Sequence, residues 1–174
     1  GIAETNKEAF EQRMKDAGLA LAVSPLRAGL VACTGANGCK LGNARTKENA
    51  AAIAEYCDSR VPLDTPLNIH LTGCPNSCAQ HYIGDIGMVG ARVDVGDDET
   101  VDGFNVVIGG GYGADARIAR DFAQGIKATD LPVFVEKLLG AYLAHRRDAA
   151  ETFNQFANRH EVADLRRLAG LEGA

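Results

Sequence analysis

The sequence predicts an α+β domain, a mixed β-sheet with a central meander flanked by helices, and three observations predict it. Short apolar runs at Leu30–Ala32 and Leu67–Leu71 each lead into a glycine-containing loop, as strands of a sheet commonly do. Two runs of extended character, 83–95 and 104–108, flank an acidic stretch and read as a hairpin or meander. Segments with apolar residues at helical spacing are interleaved with these strands, so helices are expected to cover the sheet. The chain has 174 residues, 46% hydrophobic and 24% charged, enough for one ordinary core without disulfide staples.

Each element has its own justification. Thr5 and Glu8 have capping-box spacing, Phe10, Met14 and Leu19 recur at helical intervals, and Gly18 supplies a stop. A leading helix over 5–17 follows, with a linker to residue 27. Residues 44–58 place Ala50, Ile53, Ala54 and Cys57 on one face of a second helix, ended by Pro62. Leu67, Ile69 and Leu71 alternate with Asn68, His70 and Thr72, the pattern of a half-buried strand. After Gly109–Gly113, a short helix is expected over 114–122. Thr129 or Asp130 caps a stronger helix carrying Leu131, Phe134, Val135, Leu138, Leu139 and Tyr142 on one stripe. The tail, 148–174, reads as two short helical stretches holding Phe153 with Phe156 and Leu165 with Leu168. Residues 1–174 are thus expected to form a single domain.

Composition excludes several function classes. No apolar run is long enough to cross a bilayer, so no membrane role is expected. A net charge of −5, from 18 basic and 23 acidic residues, argues against a nucleic-acid binder, whose affinity comes from cations on phosphates. The acidic excess lies mid-chain, where Asp94, Asp97, Asp98, Glu99 and Asp102 around Gly96 and Gly103 read as a solvated hairpin tip. The ligand order of a calcium-binding EF-hand is missing there. The chain opens at Gly1 without a basic and apolar leader, so a cytoplasmic location is expected and the chain reads as internal or trimmed.

A strand, a glycine-rich loop and a helix can form a dinucleotide fingerprint, but Gly109, Gly111 and Ala114 fit only its loosest form. No second strand with a ribose-binding acid follows where one is needed. A plain tight turn, or a backbone nest for an anion, remain the alternatives.

The cysteines carry the chemistry. Cys33, Cys39, Cys74 and Cys78 fall in two loops as C-x5-C and C-x3-C, separated by 34 residues, while Cys57 lies on a helix face. Disulfides are disfavoured by the odd count and the absence of any export mark. Structural zinc favours tighter knuckles than C-x5-C. An iron–sulfur cluster requires four thiolates around a larger object, which suits wider loops with exposed backbone amides. Gly35 and Asn37-Gly38 permit the first loop to reverse. If a helical turn begins at Pro75, Cys74 and Cys78 project to the same side, and amides around Gly73, Asn76 and Gly38 are placed to donate to sulfur.

These residues resemble a known family. Leu30-Val31-Ala32-Cys33-Thr34-Gly35 with Cys39, Thr46-Lys47, Leu71-Thr72-Gly73-Cys74-Pro75-Asn76-Ser77-Cys78 and Asp85-Ile86-Gly87 look like the carboxy-terminal half of the sirohaem-dependent nitrite and sulfite reductases. The resemblance covers most of residues 28–147, and Cys33-Thr34-Gly35 looks closer to the ferredoxin-type nitrite-reducing branch. It implies that Cys33, Cys39, Cys74 and Cys78 hold a [4Fe–4S] cluster, that Cys78 also ligates the sirohaem iron as a bridge, and that Asn76 lies between two ligands near the cofactor. Electrons would pass from the cluster through Cys78 to sirohaem for six-electron reduction of the oxyanion. It further implies an electron donor, ferredoxin or a reductase subunit or domain, and a missing homologous half that supplies most substrate-gripping cations. Lys40, Arg45, Lys47, Arg92, Arg117 and Arg120 are candidates for the sirohaem carboxylates, with solvated surface charge as the plainer reading of each. His70 and His81 flank the second loop and read as strand or packing residues rather than ligands. Two alternatives stand beside this reading: an enzyme like precorrin-3B synthase acting on a tetrapyrrole, and a non-catalytic iron–sulfur electron-transfer module.

Overall fold

The computed structural model describes residues 1–19 and 21–173. Five strands form one sheet in sequence order: β1 (Leu30–Ala32), β2 (Ile69–Thr72), β3 (Ile86–Gly96), β4 (Glu99–Ile108) and β5 (Arg120–Lys127). β1–β2 and β2–β3 pair in parallel, while β3–β4–β5 is an antiparallel meander. The expected α+β class, a mixed sheet with a central meander and flanking helices, is the one observed. Helices α1 (Lys7–Asp16), α2 (Pro25–Ala28), α3 (Thr46–Cys57), α4 (Leu131–His145), α5 (Phe153–Asn158) and α6 (Val162–Leu168) complete the order.

The parallel part positions the cysteines. A connection between adjacent parallel strands needs a crossover, and α3 supplies it between β1 and β2, packing against both strands and α4. β1 and β2 therefore end side by side, Ala32 opposite Leu71. One apolar core extends from Leu26 to Ala169 and includes Ile53, Leu71, Met88, Phe104, Phe122, Leu138, Tyr142, Phe153 and Phe156. The α4 stripe lies in it as expected, and so do Phe153, Phe156 and Leu165 of the tail.

Several expectations are corrected. Residues 114–122 form no helix: a 3-10 turn at Gly113–Asp115 is followed by β5. Pairing with β4 (Val107 opposite Asp121, Phe104 opposite Ile126) and complete burial of Phe122 override the helical spacing there. β2 is buried on both faces, His70 and Thr72 included, because it lies between two parallel partners rather than at a half-exposed position. The expected capping box at Thr5 is absent, and α1 buries none of its residues. A complete capping box forms instead at Thr152, whose hydroxyl takes the Gln155 amide, at the start of α5. β4 begins at Glu99, so Glu99 and Asp102 belong to a strand and only Asp97 and Asp98, both with left-handed backbone, form the turn.

Candidate metal and cofactor centre

The two cysteine loops are packed against each other, largely backbone to backbone. Cys33 follows β1 and its amide donates to the Leu71 carbonyl of β2 (3.1 Å). Its chain then reverses: the amides of Gly38 and Cys39 both donate to the Gly35 carbonyl (3.2 and 2.9 Å). Gly35, at φ +65°, makes this possible, and a Cβ on it would strike Thr46 Oγ1 at 2.6 Å. The returning strand of the loop is fastened to the second loop by the Asn43 amide donating to the Gly73 carbonyl (2.7 Å). The backbones of Gly35 and Gly73 approach so closely that a Cβ on Gly73 would lie 3.1 Å from the Gly35 Cα.

The sulfur of Cys33 lies in this seam. The Gly73 amide donates to it at 3.1 Å, and the hydroxyls of Thr46 and Thr72 each lie 4.0 Å away. Thr46 is buried at the start of α3 and donates its hydroxyl proton to the Cys33 carbonyl (2.6 Å). Burial pushes the Cys33 thiol up, but hydrogen bonds from the Gly73 and Gly35 amides and from Thr72 outweigh it, so the thiol is held below its ordinary value. This polarity favours thiolate, the form that binds metal.

The other cysteines sort by surroundings. Cys74 is buried, Cys33 and Cys39 are partly buried, and Cys78 is exposed. All five are free thiols. Cys57 is fully buried in the core; desolvation first, then Glu136 and Asp58, push its thiol up to about 11, so it is no ligand candidate. No helical turn begins at Pro75. The Ser77 amide donates to the Cys74 carbonyl (3.2 Å), and Ser77 then takes left-handed backbone, which stops any helix. Cys74 and Cys78 consequently do not stack on a helix face, and Asn76 sits exposed in the turn between them. Of the expected amide donors, Gly73 reaches a sulfur, whereas Gly38 is used to close its own loop.

Among the described residues no three His, Cys, Asp or Glu side chains gather closely enough to hold a single metal ion. A four-iron cube holds its thiolates at separate corners, so free cysteines on two interlocked loops, with an amide already aimed at one sulfur, fit a cluster better than a zinc ion.

A family model described as "Nitrite and sulphite reductase 4Fe-4S domain" matches residues 27–171. The chain belongs to that family. Membership implies both expected cofactors, the [4Fe–4S] cluster and sirohaem. Among relatives of this nitrite and sulphite reductase domain is "Ferredoxin--nitrite reductase" of Synechococcus elongatus, 40% identical over 116 residues, 67% of this chain and 22% of that protein. "Sulfite reductase [ferredoxin] 1" of Mycolicibacterium paratuberculosis is 36% identical over 155 residues, 86% of this chain and 28% of that protein. The structure of Mycobacterium tuberculosis NirA protein superposes with a TM-score of 0.85 at 32% identity, covering 95% of this chain and 31% of that one. The chain therefore spans only about a quarter of the length of the relatives it matches.

The six candidate cations divide. Arg45 and Arg92 both bind Asp102 of β4 (3.1 and 2.5 Å), so Asp102 belongs to an ion-pair network rather than a solvated tip. Arg120 donates to the carbonyls of Ala157 and His160, holding the tail to β5. Lys40, Lys47 and Arg117 have exposed side chains, the first two beside the cysteine loop. The glycine loop offers no anion nest at its first and third glycines: the Gly109 amide donates to the Asp85 carbonyl and Gly111 pairs with Arg117. Its glycines serve close packing, since a Cβ on Gly110 would lie 2.5 Å from the Gly84 carbonyl oxygen. Sequence reasoning missed Thr46 and Thr72 as sulfur neighbours; their places beside Cys33 depend on strand pairing, which no local pattern spells out.

Proposed function

We propose that this chain is the cluster and sirohaem portion of an assimilatory nitrite or sulfite reductase, with Cys33, Cys39, Cys74 and Cys78 holding the [4Fe–4S] cluster. The observation that carries this reading is the Gly73 amide on the Cys33 sulfur, which ties together two cysteine loops far apart in sequence. In it Cys78, the exposed cysteine, is the thiolate shared with sirohaem, and Asn76 stands beside it. The cofactors, when bound, supply one-electron transfer and an iron that binds the oxyanion. The chain's residues do the rest: thiolates hold, the Gly73 amide and the Thr72 hydroxyl stabilise anionic sulfur, and the packed glycines keep both loops at fixed separation. Relatives named for each oxyanion match, so the reading covers both nitrite and sulfite.

The relatives are named ferredoxin enzymes, and we propose ferredoxin as the electron donor here too. A homologous half outside this chain would complete the substrate site. No helix among the described residues is long and apolar enough to cross a membrane, and free thiols suit a reducing compartment, so we place the reaction in the cytoplasm. The test is reconstitution with iron, sulfide and sirohaem. Wild type should take up about four irons, as a [4Fe–4S] cluster requires, and show a haem–thiolate spectrum that Cys78→Ser abolishes. Iron uptake unaffected by replacing Cys33, Cys39, Cys74 and Cys78 together overturns the reading.

A further inference from the structure

The loop that presents Cys78 holds two residues in left-handed backbone although neither is glycine: Ser77 at φ +56° and Gln80 at φ +53°. They stand immediately before and two places after Cys78, so the direction in which its thiol leaves the loop depends on both. For an L residue this conformation is disfavoured by roughly tenfold relative to ordinary backbone, and something must hold it.

Each of the two is gripped by a histidine. The Ser77 hydroxyl lies 2.7 Å from His81 Nδ1. His70 Nδ1 lies 3.1 Å from the Gln80 carbonyl oxygen, and because a carbonyl only accepts, that ring nitrogen carries the proton. Both rings are anchored. His70 is buried in β2, its ring so close to Gly84 that a Cβ there would sit 3.0 Å from its Cγ. His81 opens the 3-10 turn His81–Ile83 and packs edge-on against the Tyr82 ring, centroids 5.6 Å apart.

We infer that His70 and His81 are positioning residues, two clamps that hold Gln80 and Ser77 left-handed and so fix how Cys78 is presented. The inference rests on the proposed reading that Cys78 is a ligand, and it gives the two histidines a role without either touching a cofactor. One clamp reaches the loop from the sheet and the other from the turn that follows it, so the thiol is fixed from both sides.

Amide hydrogen exchange over residues 77–80 of the full chain, without cofactor, tests the clamps directly, and iron uptake tests what they do for the cluster. His81→Ala should speed exchange in this segment by about tenfold, the worth of one part-buried hydrogen bond, leave the β2–β3 ladder protected, and lower iron uptake. Adding Ser77→Gly should restore both by at least about threefold, because glycine accepts positive φ without help. His70→Ala with Gln80→Gly forms the matching pair; should His70→Ala fail to fold, the His81 pair decides alone. Unchanged exchange in His81→Ala, or no recovery on adding Ser77→Gly, overturns the inference. Failure of wild type to take up iron overturns the reading of the cysteines instead, and leaves the exchange result standing.

Discussion

Five identical thiols acquire different chemistry from their neighbours. Cys33 and Cys57 show the contrast: one receives amide and hydroxyl donors and is held low, the other is sealed among apolar side chains and pushed up to about 11. Cys57 donates to the Pro132 carbonyl (3.6 Å), tying α3 to α4. Its replacement by alanine should leave iron uptake at wild-type level and lower stability by about 1–2 kcal/mol, for a small cavity and one weak bond, as read by urea unfolding. Its exclusion from the ligand set was legible in the sequence, since it shares a helical face with Ala50, Ile53 and Ala54. The left-handed backbone of Ser77 and Gln80 was not, because neither residue type announces it. Nor was the Arg45–Asp102 contact, which joins positions 57 apart.

At the level of elements, strands and helices with a clear period were readable and those fixed by partners were not. β1, β2 and α4 appear within a few residues of their expected bounds because their apolar spacing is internal to each segment. β5 escaped because Gly125 at φ +63° and two bulges against β4 break its alternation, and its pairing is recorded only in β4. The loop between Cys39 and α3 carries a testable demand. A Cβ on Gly42 would lie 2.6 Å from the Ala36 amide nitrogen and 2.8 Å from the Gly35 carbonyl carbon, both backbone atoms that cannot swing aside. Gly42→Ala should therefore displace the 33–44 loop and sharply reduce iron uptake, while far-ultraviolet circular dichroism stays that of the wild type. Full iron uptake would mean that the loop shifts without consequence.

On the scale of the molecule, the first buried residue among those described is Leu26, and the tail is the better-fastened end. Glu151, buried between α4 and α5, accepts from the Arg147 amide (2.6 Å) and from Arg159 (2.5 Å). The Arg159 guanidinium holds its carboxyl below the usual glutamate range, chiefly by hydrogen bonding. A depressed folded value means that this stabilisation is complete above the ordinary glutamate range and is lost as pH falls through the lower folded value. Thermal denaturation followed below about pH 4.5 should thus show a fall in midpoint that is smaller in Glu151→Gln, which starts from a lower midpoint at neutral pH. Finally, β1 and β2 lie side by side in parallel, so the place where the second cysteine loop starts is set by strand register and not by the count of residues between. Chain length can vary at the exposed Ser59–Arg60 bend without either loop noticing. One residue gained between His70 and Gly73 would instead turn the second loop to the opposite side of the sheet, so tolerance of insertions should differ sharply between these two nearby stretches.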